Sequence, residues 1–398
     1  MPASIFEYLT DFKSPVMRGS LPMFLAEPFR PRSDAGLDDE SIHSFVSRRL
    51  GSRIADNMIS ALVHGIYAGD SRRLSGLPPA NLVVKSCFPF LWNAEKKFGS
   101  IAFGILADSQ TPASSVHTMA HTPAAVPFIQ DVKAKSALYS FRDGLQTLSD
   151  AIAHSLAAHP NVEIRCGTRC TSLEMGEKGH DHLLTLSDST RLHAENVVGA
   201  CPAPQMASLL PETPRQLMLD IPSVDVVVVN LVFPKSCAPS ITGFGFLVPD
   251  VPGDILGVIL DSSAVPHPSG EQFTRISVMI GGHRFSRVFG SVRDEGAMQR
   301  KAVRISREAC QTYLDMHAEP LIERVSVHRA CIPQYHVGHA ARIKALHEWC
   351  VSGEERKGIS LSGAWYAGVS VNDCVYNSRL VAQGILDGDE RTGLERCL

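Results

Sequence analysis

Four absences narrow the reading of this 398-residue chain before any motif is weighed. An excess of one charge is missing. Lys and Arg total 38 against 41 Asp and Glu, a net charge of −3, so there is no electrostatic case for nucleic acid. Long apolar runs are missing too. The richest, Val224 to Phe233, carries Asp225 and Asn230 and is too short to span a bilayer, so its valines read as a buried strand. Metal-type cysteine pairs are missing: the ten cysteines are scattered, without CxxC spacing or a small-domain disulfide framework, which points to a reduced intracellular compartment. The usual phosphate and nucleophile loops are missing as well. There is no GxGxxG, no Walker-type loop and no GxSxG elbow, and Gly243-Phe-Gly245 runs on into Phe, Leu and Val. Hydrolase, zinc and P-loop readings fall away. His117 and His121 keep a His-x-x-x-His spacing, but on a Pro-, Ser- and Thr-rich stretch that reads as a solvated loop. The first residues carry neither a secretory signal nor an Arg-rich, acid-poor transit pattern, since Glu7 and Asp11 appear at once.

What is present reads as an α/β chain of two or three domains. Pro22, Pro28 and Pro31 break up the first forty residues. Asp38-Asp39-Glu40-Ser41 opens a helix with Ile42, Phe45, Val46 and Leu50 on one face, and a second helix runs from Arg53 to Tyr67. Phe88, Phe90 and Trp92 read as core, and Gln110 to Pro127 as a loop. A helix over Leu145–His159 precedes strand-like Val162–Arg165, Cys170–Glu174, Leu183–Leu186 and Asn196–Ala200, the order of a nucleotide-binding domain entered midway. Cys166 and Cys170 read as core residues on one side of a strand. Val224–Phe233, Gly243–Val248, Ile255–Leu260 and Ile276–Ile280 are β-rich and separated by Pro and Gly, which favours antiparallel hairpins. A helix over Met298–Met316, a strand over Glu323–His328, an irregular link from Cys331 to His339 and a helix over Ala340–Trp349 follow. His336 and His339 in that link read as capping or core hydrogen-bonding residues.

Two stretches suggest chemistry. In the last, Ile359 and Leu361 alternate with serines as in a buried strand, Gly363 and Gly368 make a Gly-rich turn, and a helix begins with Asn372 or Asp373 as its cap. Cys374, Ser378, Val381, Ala382 and Ile385 are expected on its inner side, and Gly388 stops it. A helix N-terminus aimed across such a turn suits an anion, or a cofactor that becomes anionic on reduction. An ordinary helix packed on a strand fits the same pattern. The other stretch sets Phe244, Phe246 and Leu247 beside two glycines, as a wall for a flat apolar molecule or as plain core.

Taken in order, the segments resemble the protoporphyrinogen oxidases, FAD enzymes of haem synthesis, in their mitochondrial, fungal form. The residues that carry this are Leu50-Gly51 through Ile54-Ala55, His64-Gly-Ile-Tyr-Ala-Gly-Asp70, Ser86-Cys-Phe-Pro89, Gly243 to Pro249, Val278-Met-Ile-Gly-Gly282, Cys331-Ile-Pro-Gln-Tyr335 with Gly338-His339, and Gly363 to Cys374. The resemblance implies an amine-oxidase-like FAD flavoprotein fold with a helical membrane-associating region, a discontinuous FAD domain and a substrate domain on a mixed sheet. Residues 1–133 are the implied helical region, 134–215 and 330–398 the FAD-domain segments, and 216–329 the substrate sheet. By the same resemblance Cys170, Val369, Ser370, Val371, Asn372 and Asp373 lie along FAD. Phe244, Gly245, Leu247 and Met279 lie along protoporphyrinogen IX. The implied reaction passes hydride to the flavin in three two-electron rounds, and oxygen reoxidises the flavin to give hydrogen peroxide. Peripheral association with the mitochondrial inner membrane is implied, and a homodimer is left open. The family's diphosphate-binding GxGxxG and its propionate-pairing arginine would precede the matched region. Asp143 stands where the family usually has glycine, and Asn377-Ser378 replace Ser-Gly. These departures suggest an N-terminally truncated copy, with an inactive remnant or binding-only paralogue as the alternative. Arg30, Arg32, Arg72 and Arg73 are candidate propionate partners, although solvated surface suits each of them.

Overall fold

The computed structural model describes residues 21–30, 39–76, 95, 97–101, 104, 140–141, 143–176, 181–241, 243–250, 254–266, 270–290, 292 and 294–397. The Phe88–Trp92 cluster, Arg32, the His117 and His121 pair, the 110–127 loop and much of the 1–133 region lie outside the described residues.

Helix α1 (Ile42–Leu50) starts where Ser41 is extended and its Oγ accepts from the Ser44 N–H at 3.1 Å; Gly51, at φ 94°, ends it. The next helix covers Ser52–Tyr67, with a π-helical stretch at Ala55–Ile59 ahead of α2 (Ser60–Tyr67). Their apolar faces share one core of Ile42, Phe45, Leu50, Ile54, Ile59 and Val63. Arg49 is fully buried in it. Its guanidinium pairs with Glu27 and donates to the carbonyls of Gly99 at 2.8 Å and Arg30 at 3.1 Å.

Helix α3 (Gln146–Ala157) buries no residue. The expected strand at Val162–Arg165 is absent. No described strand lies beside it, Val162 and Ile164 are exposed, and Glu163 pairs with Arg165 at 2.6 Å. Strands β1 (Cys170–Glu174), β2 (His182–Leu186) and β3 (Arg191–Ala194) form an antiparallel meander, of which β3 was not anticipated. Cys170 is half-buried on β1, whereas Cys166 is exposed before it, so the pair does not share a core. After β4 (Val197–Gly199) comes α4 (Glu212–Leu219), also unanticipated because Pro211 and Pro214 disguise its first turn.

Strands β5 (Ser223–Pro234), β6 (Gly245–Leu247), β7 (Ile255–Ile259) and β8 (Phe273–Gly282) are followed by helix α5 (Glu295–Leu314) and strand β9 (Ile322–Pro333). They form one sheet in the order β6-β7-β8-β5-β9, with every neighbour antiparallel. That bears out the hairpins and corrects the implied mixed sheet. The parallel strands β8 and β9 are joined by α5 but flank β5 and never pair. Val227, Val229, Leu231 and Phe233 of β5 therefore meet Met298, Ala302, Ile305 and Ala309 of α5 in the largest core. Strand β9 also reaches beyond the expected His328. Ile332 and Pro333 pair with Val224 and Ser223, so the first part of the supposed irregular link is strand.

Helix α6 (His339–Val351) leads to β10 (Ile359–Leu361), which pairs in parallel with β4, and then to α7 (Val371–Asp387). The buried face of α7 is Asn377, Val381 and Gly384, while Ser378 and Ala382 are exposed. Of the expected side, Val381 is buried and Cys374 and Ile385 are half-buried, and residues 391–393 fold back on the helix to bury Asn377 and Gly384 as well. Asn377 Nδ2 donates to the Gly393 carbonyl at 3.0 Å, and Arg391 lies over Gly384.

Candidate functional site: a glycine turn, a helix N-terminus and an apolar sheet face

Strands β4 and β10 run the same way, so Gly199–Cys201 and Ser362–Gly363 leave the pair side by side. The carboxyl ends of parallel strands are where open α/β sheets take ligands. Ser362 N–H donates to the Gly199 carbonyl at 3.0 Å. The turn then runs through buried Trp365, Tyr366 and Ala367 to Gly368, whose φ is 132°; a Cβ there would lie 2.4 Å from the Cβ of Asp373. Only glycine satisfies both limits.

The cap of α7 is Ser370 rather than Asn372 or Asp373. Ser370 is extended, accepts from Asp373 N–H at 3.1 Å and donates to Asp373 Oδ2 at 2.6 Å. The short hydroxyl reaches the third helical N–H. Asp373 also faces the Arg396 guanidinium at 3.3 Å. Ser370, Val371 and Asn372 are exposed at the positive end of this 17-residue helix, and Val369 is half-buried beside them.

Tyr335 holds the turn. Its buried hydroxyl donates to the Ala364 carbonyl at 2.6 Å and accepts from the Gly368 N–H at 2.9 Å, bridging the two sides. Its ring stacks on His339 at 3.9 Å, and His339 Nε2 meets the Tyr366 carbonyl at 3.1 Å. Burial pushes the Tyr335 phenol well above its ordinary value and holds His339 down at about 4. Both side chains are therefore neutral near pH 7 and act as props. His339 bears out the expectation of core hydrogen bonding.

The preceding residue ties the turn to the sheet. Gln334 Nε2 donates to the Tyr67 carbonyl at 3.0 Å, at the end of α2, and Ser75 N–H donates to the Tyr335 carbonyl at 2.8 Å. On the sheet face away from α5, pairing sets Leu247, Gly257, Met279 and Val228 in one row across four strands. Gly65 of α2 abuts this row; a Cβ there would be 2.4 Å from Leu247 Cδ2. Gly245, at φ 150°, lies so close to Val258 that a Cβ would sit 2.1 Å from its carbonyl oxygen. Phe246 points the other way, against Tyr313 of α5 at 5.5 Å. Phe244 is 44% exposed ahead of β6.

Cys170 sits on β1, half-buried. Its Sγ donates to the Ser172 carbonyl at 3.2 Å, and burial pushes the thiol up. It helps raise the Cys201 thiol, after burial, and Cys201 likewise adds to the upward push that burial gives Tyr366. Residues 369–373 thus follow the turn, Gly245, Leu247 and Met279 lie on the sheet with Phe244 at its margin, and Cys170 lies apart on β1. Gln334 and Tyr335 join the two halves. The Ile-Pro-Gln-Tyr run was noticed in the sequence, but nothing there gave its polar members a task. Of the arginine candidates, Arg30 donates to the Arg48 carbonyl at 2.8 Å, and Arg72 pairs with Asp56 at 2.6 Å.

The match of a family model now defines the class. The chain belongs to the flavin containing amine oxidoreductase family, whose model matches residues 4–386. It is an oxidoreductase with the amine-oxidase-like fold, and its cofactor is FAD. Within that family it belongs with the protoporphyrinogen oxidases. It is 33% identical to the Homo sapiens protoporphyrinogen oxidase over 92% of this chain and 73% of that protein. It is 28% identical to the Schizosaccharomyces pombe protoporphyrinogen oxidase over 96% and 75%. A solved Exiguobacterium sp. 255-15 protein, provisionally named a protoporphyrinogen oxidase, has the same fold with a TM-score of 0.70 at 20% identity, over 93% of this chain and 71% of that one. The residues present fit one flank of FAD. Exposed Val371 and half-buried Val369 offer apolar contact beside the donors at the start of α7, and Val198 of β4 is 44% exposed at the parallel pair.

Proposed function

We propose that this chain oxidises protoporphyrinogen IX to protoporphyrin IX, with oxygen as the final acceptor. One observation carries the reading: a single strand exit, Gln334–Tyr335, fastens an apolar sheet face to a glycine turn at a helix N-terminus. When bound, FAD supplies the hydride acceptor. The chain's residues then have three tasks. Val369, Ser370 and Val371, with Asn372 and Asp373, hold the flavin edge, and the N-terminus of α7 stabilises negative charge there. Cys170 lies toward the adenine end. Leu247, Gly245 and Met279, with Phe244 at the margin, hold the macrocycle flat so that a ring carbon meets the acceptor. The Leu247–Gly257–Met279–Val228 row carries no titratable group, which suits hydride removal from carbon without a general base.

The same proposal takes residues 1–133 as a helical membrane-docking region, 134–215 and 330–398 as FAD segments and 216–329 as the substrate domain. It places the protein on the mitochondrial inner membrane. The residue resemblance supports these assignments. Among the described residues no helix is long and apolar enough to cross a membrane. The test is to purify the chain and measure bound flavin, then porphyrin fluorescence and peroxide formation from protoporphyrinogen IX. Stoichiometric flavin with matched porphyrin and peroxide supports the reading. A flavin-bearing protein that turns over amines instead refutes the substrate. A folded chain without flavin or turnover points to a binding-only paralogue.

A further inference from the structure

Between α2 and the ends of β6 and β8 lies a group of side chains that the proposed oxidation does not use. His64 of α2, Asp250 just past β6 and His283 just past β8 bring three ligand-type atoms within 4.8 Å of one another. His64 is 2% exposed, and neither of its ring nitrogens has a hydrogen-bond partner. Its Nδ1 lies 3.7 Å from Asp250 Oδ1. His283 Nε2 and Arg284 Nε lie 2.9 Å and 2.5 Å from the same oxygen, so the unpartnered ring atoms are the two nitrogens of His64 and Nδ1 of His283. The two imidazoles meet edge to face at 5.1 Å. Buried polar atoms are rarely left in this state, and here they converge.

We propose that His64, Asp250 and His283 form a site for a divalent transition metal ion, with Zn(II) as its type. Two imidazoles and a carboxylate are a common donor set for such an ion, with a fourth position left to water. Metal–ligand bonds of about 2.0–2.1 Å in a tetrahedron put donor atoms roughly 3.3 Å apart. The two distances to Asp250 straddle that spacing, so small side-chain rotations complete the site. Three backbone anchors hold its walls: Asp250 N–H donates to Ser60 Oγ at 3.2 Å, His283 N–H donates to the Ala68 carbonyl at 2.8 Å, and α2 carries His64 itself. Arg284 Nε approaches Asp250 Oδ1 at 2.5 Å and competes with the ion for the carboxylate. It must move to the second oxygen, and its charge weakens binding.

The test is titration calorimetry of Zn(II) into the full chain, with electron paramagnetic resonance of Cu(II) bound at the same place. One ion per chain is expected, with nitrogen superhyperfine structure from two imidazoles. His64→Gln and His283→Gln should each weaken Zn(II) by on the order of tenfold to a hundredfold, and Arg284→Gln should tighten it. His283 is less deeply buried than His64, so its variant serves if His64→Gln fails to fold. No uptake by the wild-type chain, uptake unchanged in both histidine variants, or a copper spectrum without imidazole nitrogen would overturn the site.

Discussion

Replacing Tyr335 by Phe keeps the ring stacked on His339 and removes only the hydroxyl that joins Ala364 to Gly368. Two hydrogen bonds go, and the Gly368 N–H and Ala364 carbonyl lose their partner. At about 0.5–1.5 kcal/mol net for each bond, the loss is about 1–3 kcal/mol. Unfolding entropy near 2.1 cal/mol/K per residue gives about 0.8 kcal/mol/K for a chain of this length, so Tm should fall by roughly 1–4 °C. The larger effect should be local. The hydroxyl sets the position of the segment from which Ser370 caps α7, so flavin should leave faster than global stability alone accounts for. Thermal unfolding and flavin release, both followed by flavin fluorescence, measure the two effects on the same sample. Unchanged Tm and unchanged flavin release in Tyr335→Phe would refute the idea that this hydroxyl organises the turn.

Three further outcomes are expected. His339 has its pKa depressed from 6.5 to about 4, so the unfolded chain binds a proton that the folded one refuses. Stability from this residue is full above pH 6.5 and falls as pH drops toward 4, by about 3 kcal/mol at 1.36 kcal/mol per unit. Tm measured between pH 7 and 4.5 should decline less steeply in His339→Gln than in the wild type, and parallel curves would count against it. Gly393→Ala should cost about 2 kcal/mol or more, because φ is 79° and its Cβ would lie 2.0 Å from the Leu361 carbonyl oxygen; chemical denaturation checks it. Arg49→Ala should cost about 3–5 kcal/mol by removing the cation that balances buried Glu27, whose carboxylate keeps the neutral donors Ser100 Oγ at 2.6 Å and Ile101 N–H at 2.8 Å. A midpoint in urea close to the wild type would show that water relieves the carboxylate.

The sequence made the elements legible wherever burial on one side imposed a period. Val224 to Phe233 and its hairpin partners were readable because alternate residues must meet α5, and α1 was readable because its apolar residues share one face. The turn around Gly363 and Gly368 was legible because glycine alone fits those backbones. Other features depended on contacts between residues distant in the chain. The inner face of α7 is set by Gly393, β9 is lengthened by Ser223 and Val224, and the site's two halves are joined by Tyr335 across 29 residues to Ala364. Asn372 and Asp373 are cap types as good as Ser370. Only the backbone geometry at Ser370 distinguishes them.

The pairing of β4 with β10 has a kinetic consequence. Val197 meets Ile359 across about 160 residues, and closing that loop costs about 2.5 kcal/mol more than closing one of ten residues. During synthesis β4 must wait while the intervening antiparallel sheet is translated and closes its own, shorter loops. At about 5–20 residues per second the delay is on the order of ten seconds or more. Leu361 then donates to the Thr392 carbonyl, so the pair is sealed by residues still further along. The glycine turn at Gly363–Gly368 is therefore among the last parts of the molecule to take shape. Cofactor supplied during translation should find no seat, and a pulse of FAD after release should be as effective as FAD present throughout.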